Sequence, residues 1–146
     1  MFIVNRFCQS SSACLLAACD DFVGRNLRTQ FIGMDICWHH ETDFEKAEDQ
    51  LQSAEFAVVL VEIGFDGSRI FELLRSVRKS KNRAVKIICF RGRAPRLGRL
   101  YCDEAIATAA AAIASADYMD LSLVNTSHTL EFQHAVATAI RTISEP

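Results

Sequence analysis

The seven residues from Phe56 to Glu62 constrain the fold of this chain more than any other segment. Six apolar residues run without interruption to a terminal carboxylate, the pattern of a short strand buried on both faces of a parallel sheet. A helical run begins at Glu72, ten residues after Glu62. The strand is therefore expected to deliver Glu62 to the carboxyl edge of the sheet, where open α/β sheets collect ligands and chemistry.

Length and composition predict one globular domain covering residues 1–146. Half of the residues are hydrophobic and the net charge is -2, so direct nucleic-acid binding is not expected. No apolar stretch reaches the ~20 residues that cross a bilayer, and no secretory leader is recognisable, so we expect a cytoplasmic protein without a membrane partner. The six cysteines contain no Cys-x-x-Cys pair and are expected to be reduced, core-filling thiols.

Strand-like and helix-like segments alternate five times, which predicts a parallel sheet covered by helices on both faces. Strands are predicted at 1–4, 31–39, 56–62, 85–90 and 118–124. Helices are predicted at about 13–30, 43–54, 68–79, 102–115 and 127–143, with residues 10–12 and Thr42 as caps. This pattern favours an α/β fold with a doubly wound five-stranded parallel sheet of the flavodoxin-like type, in the order 2-1-3-4-5.

Polar groups are expected to meet at one edge of that sheet. The order 2-1-3-4-5 places the ends of the first and third strands side by side at the switch point. Asn5 and Arg6 follow the first predicted strand, Glu62 ends the third, and Cys89 with Phe90 ends the fourth. These residues form the predicted site.

Several segments share their spacing with one known family. They are the run Phe2-Ile3-Val4-Asn5-Arg6-Phe7, the acid Glu62 with its ten-residue spacing to Glu72, and the segment Ala116-Asp117-Tyr118-Met119-Asp120-Leu121-Ser122. Together they resemble the receiver domain of two-component response regulators over nearly the whole chain. The resemblance implies a receiver-like fold.

The resemblance also assigns family positions to individual residues. Glu62 takes the place of the phospho-accepting Asp, Cys89 that of a Ser or Thr, and Leu121 that of a Lys. Asn5 and Arg6 stand where the family has an acidic pair, and Tyr118 stands at the switch-aromatic position. These departures imply a degenerate, atypical pseudo-receiver.

The departures have chemical consequences for phosphotransfer. Phosphoryl transfer to a receiver needs a divalent cation held by carboxylates, together with groups that stabilise the transferred charge. Arg6 would place a positive charge where Mg²⁺ should lie, so we expect no metal, no cofactor and no enzymatic activity. Glu62 is expected either to pair with Arg6 and hold one conformation, or to point into solvent.

The functional prediction is a phosphorylation-independent module of bacterial signal transduction that acts by protein–protein contact. Its partner would be another signalling protein or an output domain, with a possible homodimer through the 101–143 face. The Ala-rich segment 105–114 lies on that face, where its small side chains either admit a partner or fill tight packing against the sheet.

The second hypothesis is a small-ligand sensor at the strand ends. The cluster Arg91, Arg93, Arg96 and Arg99 could bind a phosphorylated metabolite or a nucleotide, although a solvated basic loop is favoured. An enzyme that uses Cys89 or Glu62 is a third, least favoured hypothesis, because core packing is favoured for Cys89. His39 and His40 are adjacent on a strand and point to opposite faces, so no metal site is expected from the two together.

Overall fold

The computed structural model describes residues 13–92, 100–121 and 126–144. Five parallel strands form one sheet in the order β2-β1-β3-β4-β5. The strands are β1 Ala13–Ala18, β2 Ile36–Glu41, β3 Val58–Glu62, β4 Lys86–Arg91 and β5 Asp117–Asp120. The helices are α1 Asp21–Thr29, α2 Phe44–Ser53, α3 Ile70–Lys79, α4 Leu100–Ala114 and α5 Thr126–Ser144, with a one-turn segment Phe65–Ser68 before α3. The doubly wound sheet and its order are confirmed.

The sheet buries a hydrophobic layer on each face. On one face the β1 and β3 side chains Leu15 and Leu60 pack with Leu27 of α1 and Phe132 of α5. The other face packs against α2, α3 and α4. Because β1, β3 and β4 are covered on both sides, their sequences are continuous apolar runs rather than alternating ones.

The first strand is not where the sequence placed it. Residues 13–18 were expected to begin a helix over 13–30, but they form β1, which lies between β2 and β3 in the sheet. The segment is a short apolar run without polar interruption, and periodicity alone does not separate such a strand from a buried helix. Helix α1 begins later, where Asp20 rather than residues 10–12 caps it. The predicted strand 1–4 lies outside the described residues.

The remaining elements lie within a few residues of their predicted positions, with three informative differences. Helix α2 is capped by Asp43, whose side chain accepts the Lys46 N–H, and not by Thr42. Helix α3 begins at Ile70, because Asp66 and Gly67 adopt left-handed φ angles of 41° and 64° that interrupt the helix before it. The second strand begins at Ile36, five residues after its predicted start at 31.

A buried asparagine fixes the loops at the amino end of the sheet. The Asn82 side chain accepts the Phe56 N–H at 2.8 Å and donates to the carbonyls of Leu51 and Ala54 at 2.8 and 2.9 Å. One side-chain amide therefore provides hydrogen-bond partners for backbone groups at the end of α2 and in the segment that leads into β3. Across the described ranges, no helix is both long enough and apolar enough to span a bilayer.

Candidate functional site at the carboxyl edge of the sheet

Three carboxylates gather where β1 and β3 end. Cys19, Asp20 and Asp21 directly follow β1, and Glu62 is the last residue of the neighbouring strand β3. The pKa of the buried Cys19 thiol rises to about 12, first because of burial and then through the charges of Asp20, Glu62 and Asp21. All three acids are therefore close enough to one thiol to act on it through space.

This arrangement corrects the predicted site. The position after the first strand, assigned from sequence to Asn5 and Arg6, holds Asp20 and Asp21. The acidic pair that the receiver resemblance asks for is thus present, and the argument against a metal from Asn5 and Arg6 fails. Asn5 and Arg6 lie outside the described residues. The sequence feature that could have located the end of this strand is the acidic dipeptide 20–21, which directly follows the apolar run 13–19.

Backbone amides hold two of these acids. Asp20 Oδ1 accepts the Val23 N–H at 2.8 Å as the N-cap of α1. Glu62 Oε2 accepts the Gly64 N–H at 2.7 Å. A Cβ atom at position 64 would lie 3.0 Å from that same oxygen, so the Glu62 carboxylate folds back closely over the turn that follows β3.

The donor chemistry of the edge suits a hard cation. Carboxylate oxygens are the ligands that Mg²⁺ takes in proteins, where it keeps several waters and uses one or two carboxylates. In the described part of the chain, Asp20, Asp21 and Glu62 do not form a set whose ligand atoms all lie within 4.8 Å of one another. The edge therefore fits a hydrated ion held by one or two acids rather than a closed carboxylate cage.

Strand β4 brings an arginine to the same edge. Arg91 is the last residue of β4 and is only 4% exposed, so its predicted place in a solvated basic loop is wrong. Its carbonyl accepts the Leu121 N–H at 2.9 Å, which fastens the end of β5 to β4. The other predicted anion-binding residues, Arg93, Arg96 and Arg99, lie outside the described residues.

The residue after Arg91 must be small. A Cβ atom at Gly92 would lie 2.6 Å from Val23 Cγ1 and 3.2 Å from the Phe90 ring. Real Cβ atoms do not approach other heavy atoms that closely, so Gly92 allows the end of β4 to pack directly against the first turn of α1. This contact brings the ends of β1 and β4 together across β3.

The three remaining predicted positions are occupied by packed side chains. Leu121 is half-buried and packs against the hydrophobic layer beneath α1 and α5. Tyr118 is half-buried against the opposite layer. Cys89 is fully buried, and burial followed by the charge of Asp117 raises its pKa to about 12. Cys89 therefore packs in the core, as was favoured from the sequence.

Comparison with solved structures identifies the fold. The receiver domain of a sensor histidine kinase from Pseudomonas aeruginosa PAO1 has a TM-score of 0.66 and 16% identity, covering 88% of this chain and 98% of that chain. That structure holds a magnesium ion coordinated in its active site cleft. A Francisella response regulator receiver domain has a TM-score of 0.68 and 16% identity, covering 90% and 99%. A response regulator from Hahella chejuensis has a TM-score of 0.62 and 21% identity, covering 92% and 99%.

These similarities show that the chain has the receiver-domain fold. No family model and no curated protein matches the sequence. The fold agrees with the resemblance inferred from the motif spacing. The chemistry at the carboxyl edge of the sheet depends on the residues present there and not on the fold alone.

Proposed function

We propose that the chain is a pseudo-receiver module of signal transduction that acts through protein–protein contact without being phosphorylated. The observation that carries this proposal is the pair of residues at the ends of β3 and β5. In the receiver resemblance, Glu62, the last residue of β3, corresponds to the phospho-accepting Asp, and Leu121, the residue after β5, corresponds to the Lys. The receiver fold of the solved structures supports the signalling class.

The chemistry of these two positions opposes phosphotransfer. Glu62 is one methylene longer than Asp, and its Oε2 is engaged by the Gly64 N–H. Leu121 packs against apolar side chains and offers no ammonium to stabilise charge on a transferred phosphoryl group. Asp20 and Asp21 are the residues that would hold a magnesium ion, which would supply charge neutralisation at this edge.

The proposed conformation is fixed by the edge itself. The Glu62 carboxylate is held by a backbone amide of its own turn, and Gly92 seats the end of β4 against α1. We propose that these contacts replace the effect of phosphorylation by keeping one receiver-like state. A pair between Glu62 and Arg6, one of the two alternatives given for Glu62 from the sequence, is not needed for this.

The proposed partner surface is the 101–143 face, formed by α4, β5 and α5. Ala110 and Ala114 are buried against the sheet, whereas Ala111 and Ala112 are exposed on the outer side of the same helix. The Ala-rich segment therefore fills tight packing on one side and offers a flat, close-approach surface on the other. Leu130 of α5 adds an exposed apolar side chain at 62% exposure.

Phosphorylation is tested by incubating the protein with Mg²⁺ and acetyl phosphate and measuring its intact mass. Beryllofluoride, followed by amide NMR shifts, tests non-covalent occupancy of the same edge. We expect no adduct and no shift centred on Glu62. Modification of Glu62 would overturn the proposal, and tight capture of a phosphorylated ligand with thermal stabilisation would favour the sensor hypothesis instead.

A gain-of-function variant serves as the matched control. Because Asp20 and Asp21 are present, Glu62→Asp combined with Leu121→Lys should restore the missing nucleophile and cation. We expect this double variant to form an acetyl-phosphate adduct under conditions in which the wild type does not. A folded double variant that remains unmodified would show that other positions block the reaction.

Self-association is tested separately on the 101–143 face. Ala112→Arg places a long cation on the exposed side of α4, and Gln52→Arg makes the same addition on the exposed side of α2. In sedimentation experiments we expect a wild-type dimer, a dimer for Gln52→Arg and a monomer for Ala112→Arg. A wild-type monomer at all concentrations would remove the homodimer and leave a different partner protein.

A further inference from the structure

Three side chains with soft ligand atoms converge towards the amino end of β1 and β2. Cys14 and Cys37 are register partners on these adjacent parallel strands. His39 lies two residues beyond Cys37 and therefore on the same face of β2. The two sulfur atoms and a nitrogen of His39 all lie within 4.8 Å of one another, and no other His, Cys, Asp or Glu trio in the described ranges does so.

The spacing of these atoms matches two corners of a tetrahedral metal site. Zinc binds thiolate sulfur at about 2.3 Å and imidazole nitrogen at about 2.0–2.1 Å, so a tetrahedral angle places the two ligand atoms about 3.5 Å apart. The separation between Cys37 Sγ and His39 Nε2 is 3.5 Å. Cys14 and Cys37 carry thiols and are not joined by a disulfide.

The three side chains lie partly shielded from solvent but remain accessible to an ion. Cys37 is buried, whereas Cys14 and His39 are half-buried on the outer pair of strands. The His39 ring makes an edge contact with the Phe56 ring at a centroid distance of 5.4 Å and an angle of 83°. This contact sets the plane of the imidazole while Nε2 faces the sulfur of Cys37.

We propose that Cys14, Cys37 and His39 bind a thiophilic divalent cation of the Zn²⁺ class, with a fourth position open to water or another ligand. Two thiolates and an imidazole select such a cation over Mg²⁺ or Ca²⁺, which prefer oxygen ligands. The bound ion would join β1 to the edge strand β2.

This site is separate from the proposed signalling edge. Cys14 packs with the layer beneath α2 to α4, whereas Cys19 belongs to the layer beneath α1 and α5. The two cysteines are five residues apart on a strand that rises about 3.3 Å per residue, roughly 16 Å in total. Metal binding and phosphorylation independence can therefore fail independently of each other.

The test uses the reduced chain of residues 1–146, freed of metal by a chelator and titrated with Co²⁺ and then Zn²⁺. We expect one equivalent of Co²⁺ to produce thiolate-to-cobalt charge-transfer absorption and the intense visible bands of a tetrahedral site, both abolished by stoichiometric Zn²⁺. Zn²⁺ should also raise the thermal midpoint, because a ligand that binds only the folded state stabilises it. Absence of thiolate-to-cobalt absorption would overturn the proposal.

Variants assign the ligands. Cys14→Ser and His39→Gln should each weaken Zn²⁺ binding at least tenfold in competition with a chromophoric chelator, while the exposed His134→Gln should leave it unchanged. Cys37→Ser should also weaken Zn²⁺ binding at least tenfold. If loss of this buried thiol unfolds the chain, the variants at the half-buried Cys14 and His39 still decide the test. Unchanged binding in Cys14→Ser or His39→Gln would refute this site, leaving the 3.5 Å contact as a thiol–imidazole hydrogen bond.

Discussion

Replacing Asn82 tests whether one buried amide group holds the amino-end loops together. Asn82 is 4% exposed, and its side chain serves one backbone N–H and two backbone carbonyls. In Asn82→Ala the Phe56 N–H and the Leu51 carbonyl are left in a buried environment without this partner. The Ala54 carbonyl is less buried, so water can replace the amide there.

The magnitude follows from the number of buried groups that lose their partner. Each buried unsatisfied donor or acceptor costs about 1–3 kcal/mol, and two such groups give an expected loss of roughly 3 kcal/mol in the free energy of unfolding. For a chain of this size that corresponds to a fall of roughly 6–12 °C in the thermal midpoint. Urea denaturation with an unchanged slope would measure the free energy directly.

Two further variants make this prediction specific. Asn26→Ala removes the same side chain from an exposed position in α1 and should change the free energy of unfolding by less than about 0.5 kcal/mol. Asn82→Asp keeps the acceptor for the Phe56 N–H but turns an oxygen towards two carbonyls, so it should destabilise at least as much as alanine at neutral pH. Wild-type stability in Asn82→Asp would refute the assigned hydrogen bonds.

Three other perturbations test separate contacts. Arg78 donates from its guanidinium to backbone carbonyls at the end of α4 and in the segment that leads into β4. Arg78→Met should therefore lower the free energy of unfolding by about 2–4 kcal/mol in urea, and Arg78→Lys by less. Gly24→Ala would place a Cβ atom 2.6 Å from the His40 ring, so it should destabilise by about 1–3 kcal/mol and shift the imidazole NMR signals. Burial raises the pKa of Cys89 to about 12, so this thiol should react with iodoacetamide at neutral pH only after unfolding. The half-buried Cys14 should react in the folded protein. Rapid labelling of Cys89 in the folded protein would contradict its place in the core.

The fold was largely predictable because its central signals are local. The apolar run that ends at Glu62 is short and rich in β-branched residues, which favours a strand covered on both faces, and the structure ends β3 at that residue. Right-handed crossovers then leave few possible strand orders. The same argument predicted the end of β4 to within one residue, at Phe90 instead of Arg91.

Glu62 was predicted at the end of the third strand and lies there, but the first strand beside it was predicted in the wrong segment. Residues 1–4 and 13–19 are both apolar, and apolar residues recurring at helical spacing between Leu15 and Leu27 favoured one helix over 13–30. The structure divides this segment into a strand and a helix, and the last four residues of β1 are fully buried in the sheet. The error moved the predicted neighbours of Glu62 from Asp20 and Asp21 to Asn5 and Arg6.

Contacts between segments that are distant in the chain could not be predicted from the sequence. Strand alternation correctly separated His39 from His40, and the same alternation places His39 on the face of Cys37. Finding Cys14 as the third member requires the register of β1 against β2, which cannot be derived while β1 is misplaced. The contacts of Asn82 depend likewise on how α2 meets the sheet.

The presence of Asp20 and Asp21 changes which residues distinguish this chain from a phosphorylated receiver. Three carboxylates at one edge repel one another, and the Val23 and Gly64 amides offset part of that repulsion by donating to Asp20 and Glu62. An edge built in this way still favours a cation, so loss of metal ligands would not explain the phosphorylation independence that we propose. In our proposal the explanation lies in the longer Glu62 side chain and the apolar Leu121, and the double substitution at these two positions is the change that decides it.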